Sequence, residues 1–261
     1  MSENSLMLAH PEDLEQLRGF WQQVQQQKRA QFVHLTAPMG GGKRAMVGEF
    51  SKGLDPNTLI MRPPFIDEED GQGVMIRLYS ALYSALHRNP TLRGRVEMSL
   101  NSQLPSQSQR GQGWFSAFTE GLKLGGPKSG EQQMQINIPR DNPLLGFVEI
   151  VLGIAKNFPV IIDLQNLHTV QSLPFFTMLN ALLQKSAKAE DVQLLVVLNM
   201  VPVTGNESWL SLPLQDVLKQ QSETLNALEM KGWNAELVKS YINSMDDKVW
   251  VDADSSRDTL L

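Results

Sequence analysis

Cysteine is absent from the 261 residues. The chain can therefore build no disulfide, no cysteine-ligated zinc and no thiol nucleophile. Histidine is scarce: His10, His34, His87 and His168 are the four, and no two stand at metal-ligand spacing. Basic excess is lacking as well. The formal net charge is −5, which leaves no surplus of Lys and Arg for a phosphodiester backbone, so a nucleic-acid partner is not expected. No apolar run approaches the ~20 residues of a membrane span. The N-terminus shows no charged region followed by a long apolar stretch, so no secretory leader is expected and a cytoplasmic location is.

What is present suffices for a core. Apolar residues make up 41% of the chain, and the length suits one large α/β domain. Pro11 and the acids Glu12 and Asp13 suit the first turn of an opening helix over 11–27. Leu14, Leu17, Trp21 and Val24 then recur at helical spacing. Strands are predicted at 32–35, 58–62, 158–162, 192–198 and 225–230. Helices are predicted from the glycine loop to about Gly53, then at 74–88, 91–100, 143–156, 172–188, 209–220 and 234–245. Strands alternating with helices, several of them uniformly apolar, imply a mostly parallel sheet covered on both faces. Residues 101–113 are polar, proline-broken and glycine-rich and read as a loop. The cluster Trp114, Phe115 and Phe118 reads either as a helix packed on the domain or as a wedge for a membrane or partner. Residues 122–124 and 134–138 alternate around a glycine turn, as in a β-hairpin. The domain is expected to span 1–245, with 101–140 as an appended insert and 246–261 as an acidic tail. The acidic run at 67–70 reads as a solvated loop.

The stretch QFVHLTAPMGGGKRAMVGEF, residues 31–50, organises the rest. An apolar strand runs into Pro38, Met39, Gly40, Gly41 and Gly42, and Lys43, Arg44 and Ala45 open an apolar-periodic helix. Glycines let backbone N–H groups approach an anion, the helix start adds its positive dipole end, and Lys43 adds a charge. The pattern G-x-x-x-x-G-K-[ST] is met at Gly42-Lys43, but Ala37 stands at its first glycine and Arg44 at its hydroxyl. The alternative is an ordinary glycine turn between a strand and a helix.

Two further strands end in polar residues. PVIIDLQNLH, residues 159–168, carries four apolar residues and then Asp163. A carboxylate at the C-terminal end of a buried parallel strand stands where ligands bind in such sheets, and there it holds magnesium in phosphate-loop enzymes. The next residue is Leu164, so no second acid is available to polarise water. The alternative is an aspartate capping the following turn. QLLVVLN ends in Asn199, which either senses a γ-phosphate or orients a water, or is a turn asparagine.

Opening helix, glycine loop, apolar-Asp strand and Asn-ended strand together resemble the AAA+ superfamily of P-loop NTPases, in particular its signalling, STAND-type branch. HPEDLEQLRGFWQQV resembles the segment before that group's phosphate loop. FPVIIDLQNLHTVQSL resembles its Walker B strand, usually written with two adjacent acids before Leu-Gln. TLNALEMKGWNAELVKSYI resembles the entry to its helical lid. The resemblance implies a three-layer fold, ATP or ADP at the glycine loop with Lys43 on the phosphates, and Asp163 as the Walker B acid and magnesium ligand. If Asp163 aligns with the second of the usual acids, Ile162 stands where the magnesium acid belongs. The departures at Ala37, Arg44 and Leu164 point to nucleotide as a structural or switching ligand with little hydrolysis, and leave magnesium in doubt. A protein partner or self-association is expected with such a switch. Two competing readings are an active magnesium-dependent ATPase and a nucleotide-free scaffold.

Overall fold

The computed structural model describes residues 11–38, 41–63, 71–103, 143–202 and 212–230. The expected hairpin, the aromatic cluster at 114–118, the acidic run at 67–70, the helix over 234–245 and the tail lie outside these residues. Five strands form one sheet: β1 (Gln31–Thr36), β2 (Leu59–Met61), β3 (Val160–Leu164), β4 (Leu194–Met200) and β5 (Leu225–Glu229), in the order β2-β3-β4-β1-β5. Every adjacent pair is parallel. Around it lie α1 (Pro11–Gln27), α2 (Lys43–Lys52), α3 (Gly71–His87), α4 (Pro90–Gln103), α5 (Pro143–Ala155), α6 (Leu173–Lys188) and α7 (Leu212–Gln220), with a 3-10 turn at Leu167–Thr169.

The strand period of two divides the apolar residues into two cores. Phe32, Met61, Ile162, Leu164, Val196 and Leu198 face the core shared with α3, α5 and α6. Val33, Leu35, Ile161, Leu195, Val197 and Leu228 face a smaller core closed by α1 and α2. Leu14, Leu17, Trp21 and Val24 of α1 are buried there, as their spacing predicts. Trp21 meets Phe50 of α2 edge-on, with centroids 6.4 Å apart. The smaller core therefore sets the position of α2, and with it the glycine loop. β4, in the middle of the sheet, is buried at all seven positions, whereas β5 at the edge buries Leu228 alone.

Several boundaries shift. β3 and β4 run two residues beyond the predicted strands, so Asp163 and Asn199 lie inside strands rather than in turns. Helix α4 continues to Gln103, so residues 101–103 are helical and not loop. Helix α6 begins at Leu173 because Ser172 caps it, its hydroxyl accepting from the Phe175 N–H at 3.3 Å.

Candidate functional site

The C-terminal ends of the strands β1, β3 and β4 and the start of α2 converge. Gly42 precedes α2 with φ 80° and gives it no side-chain cap. That left-handed conformation is open to glycine at little cost. Gly41 is required for a different reason. A Cβ there would stand 2.9 Å from the Pro38 carbonyl oxygen and 3.0 Å from the Ala37 Cβ. The loop is that tight because the Gly41 N–H donates to Pro38 O at 2.9 Å. Ala37, at the position of the pattern's first glycine, is fully buried. Helix α2 begins at Lys43, and its first-turn N–H groups have no partner within the helix.

These groups border a cavity of about 610 Å³, lined by Gly41, Gly42, Lys43, Arg44 and Ala45 on one side and by Gln165, Asn166, His168, Asn199 and Val201 on the other. The volume lies within the range of small-molecule sites. The Lys43 ammonium folds back onto the loop, donating to Ala37 O at 2.7 Å and Pro38 O at 3.3 Å. Burial lowers its pKa from the usual lysine range, and an anion in the cavity would oppose that shift. His168 is held below the ordinary imidazole pKa first by burial and then by the Lys43 charge.

Asp163 is buried beneath this cavity and is not one of its lining residues. Its strand face is that of Ile161, and Asn199 shares the face of Val197, so both side chains turn toward the α2 layer. Asn199 Nδ2 donates to Asp163 Oδ1. Gln165 Nε2 donates to Oδ2 at 3.0 Å, and Arg62 Nε lies 3.3 Å from the same oxygen. Burial pushes the carboxyl above the usual carboxylate range, and Gln165, Arg62, Asn199 and Arg44 oppose the shift. The turn-cap reading of Asp163 is thus replaced by a closed cluster of side chains. With Nδ2 committed to the carboxylate, Asn199 keeps Oδ1 buried and without a hydrogen-bond partner among the described residues. This oxygen is an acceptor, so it suits a water or an N–H and repels a phosphate oxygen.

The fold is similar to that of a Walker-type ATPase. The solved structure of that protein, from Pyrococcus abyssi, superposes with a TM-score of 0.53 at 11% sequence identity. The match covers 97% of this chain and 61% of the archaeal one, so this chain spans less than two thirds of that protein's length. No protein-family model matches the sequence, and no curated protein sequence matches it.

Of the residues singled out in the sequence, positions 41–45 and Asn199 stand on the cavity wall. Pro38 is exposed and contributes only its carbonyl, to Gly41 and Lys43. Met39 and Gly40 lie outside the described residues. Missed were Gln165, Asn166, His168 and Arg62. Asn166 carried a signal, since asparagine after a strand tolerates the left-handed conformation it adopts here (φ 55°). Arg62 carried none until strand register was known.

Proposed function

We propose that the chain is a nucleotide-binding domain of the AAA+/STAND-like kind, holding ATP or ADP as a structural or switching ligand with little or no hydrolysis. The observation that carries this is the cavity itself: an uncapped helix start, the cation pair Lys43 and Arg44, Gly41 packed too tightly for a side chain and Gly42 at a positive φ, all on one wall. That constellation fits a polyphosphate. Lys43 would exchange a loop carbonyl for a phosphate oxygen, and the backbone N–H groups at the start of α2 would hold the rest. Asn199, with its acceptor oxygen, would orient a water or a base N–H rather than touch phosphate. The likeness to a Walker-type ATPase supports the same reading through the fold.

A magnesium ion does not fit the described residues. Both oxygens of Asp163 already accept from protein groups. Arg44 takes the place of the loop hydroxyl, so the residue after Lys43 offers such an ion no oxygen donor. The second acid that hydrolysis would use is missing for a structural reason too. Leu164 is buried in the core on the opposite face of the sheet from Asp163, as is Ile162. Slow turnover follows, because positioning and charge stabilisation of the transferred group both rest on those parts.

Calorimetric titration of the full chain with ADP and ATP tests binding, and a phosphate-release assay tests turnover. Saturable binding with background release supports the reading. Absence of binding would favour the scaffold, and rapid release abolished by Asp163→Ala would favour a working ATPase. If nucleotide acts as a switch, the elution volume of the chain or its partner complex should change on adding ADP or ATP.

A further inference from the structure

We propose that the Arg62 guanidinium is a built-in cation at Asp163, standing in for a divalent ion, so that the cavity retains its anionic ligand without metal. Strand register places it there. Leu59, Ile60 and Met61 of β2 pair with Val160, Ile161 and Ile162 of β3, so the next residue, Arg62, falls beside Asp163. Its Nε lies 3.3 Å from Asp163 Oδ2. Its Nη2 donates to Val47 O at 3.2 Å and to Ser51 Oγ at 2.7 Å, both on α2. One side chain thus neutralises the buried acid and ties it to the helix whose start forms the cavity wall.

The arrangement leaves little for a metal to do. At Oδ2 a divalent ion would have to displace the guanidinium and Gln165, and at Oδ1 it would have to share the oxygen with Asn199. Magnesium gives up its waters reluctantly and demands near-octahedral oxygen donors, so it competes poorly with an arginine already fixed by three contacts. Arg62 does not line the large cavity. It borders a smaller one of about 190 Å³ with Ser80, Ser84 and Arg88. Its charge therefore serves the carboxylate, while Lys43 and Arg44 serve the ligand. The nucleotide arm of this inference rests on the function proposed above, and the metal arm does not.

The test uses the full chain in two arms. In the first, thermal melts are recorded in EDTA and in magnesium or manganese chloride, without nucleotide. Wild type should be indifferent to metal. Arg62→Gln should melt lower in EDTA and recover with metal, and Arg62→Gln combined with Asp163→Asn should lose that recovery. In the second arm, ADP affinity is measured in EDTA and in magnesium. Wild type should change by no more than about twofold, whereas Arg62→Gln should bind about tenfold more weakly in EDTA and regain affinity with magnesium. If Arg62→Gln does not fold, Arg62→Lys decides: it keeps the charge and should stay indifferent to metal. An Asp163-dependent metal response in wild type overturns the proposal. So does a folded Arg62→Gln that ignores metal in the first arm, or a metal-responsive Arg62→Lys. If no variant binds ADP, the nucleotide reading fails, and the first arm still decides the role of Arg62.

Discussion

The two halves of the site are built to opposite plans. On the α2 side, Lys43, Arg44 and the helix start border open volume; Lys43 donates to two loop carbonyls, and Arg44 acts on Asp163 only through its charge. On the β3 side, Asp163 is fully buried and answered by Arg62, Gln165 and Asn199. The first half is arranged to meet something from outside, and the second is already complete. In a metal-dependent phosphoryl-transfer site both halves would face the ligand. Here changes on the open side should act on binding directly, and changes on the closed side should act on the fold first and reach binding only through the charge left at Asp163.

Asp163→Ala should have the largest effect, and on stability. It strips three donors of their acceptor, one of them the buried Asn199 amide. Arg62 is 37% exposed and can turn to water, so the loss should be moderate, about 2–3 kcal/mol, read by denaturant unfolding. A variant as stable as wild type would break the comparison at its closed half.

Lys43→Ala should do the reverse. Unfolding free energy should move by less than about 1 kcal/mol, since only its contacts to loop carbonyls are lost. Nucleotide affinity should fall by about 1.5–3 kcal/mol, the value of a charge-assisted hydrogen bond. Equal ADP affinity in wild type and variant, measured by calorimetry, would remove Lys43 from the binding reading.

Gly42→Ala asks how far the open half depends on backbone shape. At φ 80° an added Cβ costs about 1–2 kcal/mol, and relief of that strain would tilt the first turn of α2. Stability should fall by that amount, and ADP affinity with it. A loss of stability alone would show that the loop conformation matters for folding but not for the ligand.

The smallest effect concerns pH. The folded-state pKa of His168 lies below its ordinary value, so the unfolded chain takes up a proton before the folded one does. Its contribution is present above the ordinary imidazole pKa of about 6.5 and is lost as pH falls through the lowered folded value. Thermal melts should therefore fall less steeply on acidification in His168→Gln than in wild type. Phosphate or ADP in the cavity should raise the His168 pKa, visible in its imidazole NMR titration, because an anion offsets the Lys43 charge. A titration unmoved by saturating ADP would place the ligand elsewhere.

Patterns confined to one segment were legible in the chain. Helical spacing in α1, the strand–glycine–lysine–helix passage and the apolar run before Asp163 each announced a local structure, because periodicity and glycine chemistry act over a few residues. Strand ends were less legible. Asp163 and Asn199 are polar, and polar residues read as turn. They remain in strands because each finds its partner on the neighbouring strand, a contact 36 residues away in sequence.

The sequence alone determined the alternation of strands and helices, the tight loop before α2 and the cations that open it, since these follow from residue type and spacing. Tertiary structure decided what those parts are for. Parallel pairing of β2 with β3 set Arg62 beside Asp163, and the strand period turned Leu164 into the opposite core. The first consequence is written in no single segment, because register is a relation between strands. A shift of one residue would exchange the faces and leave Asp163 without its cation.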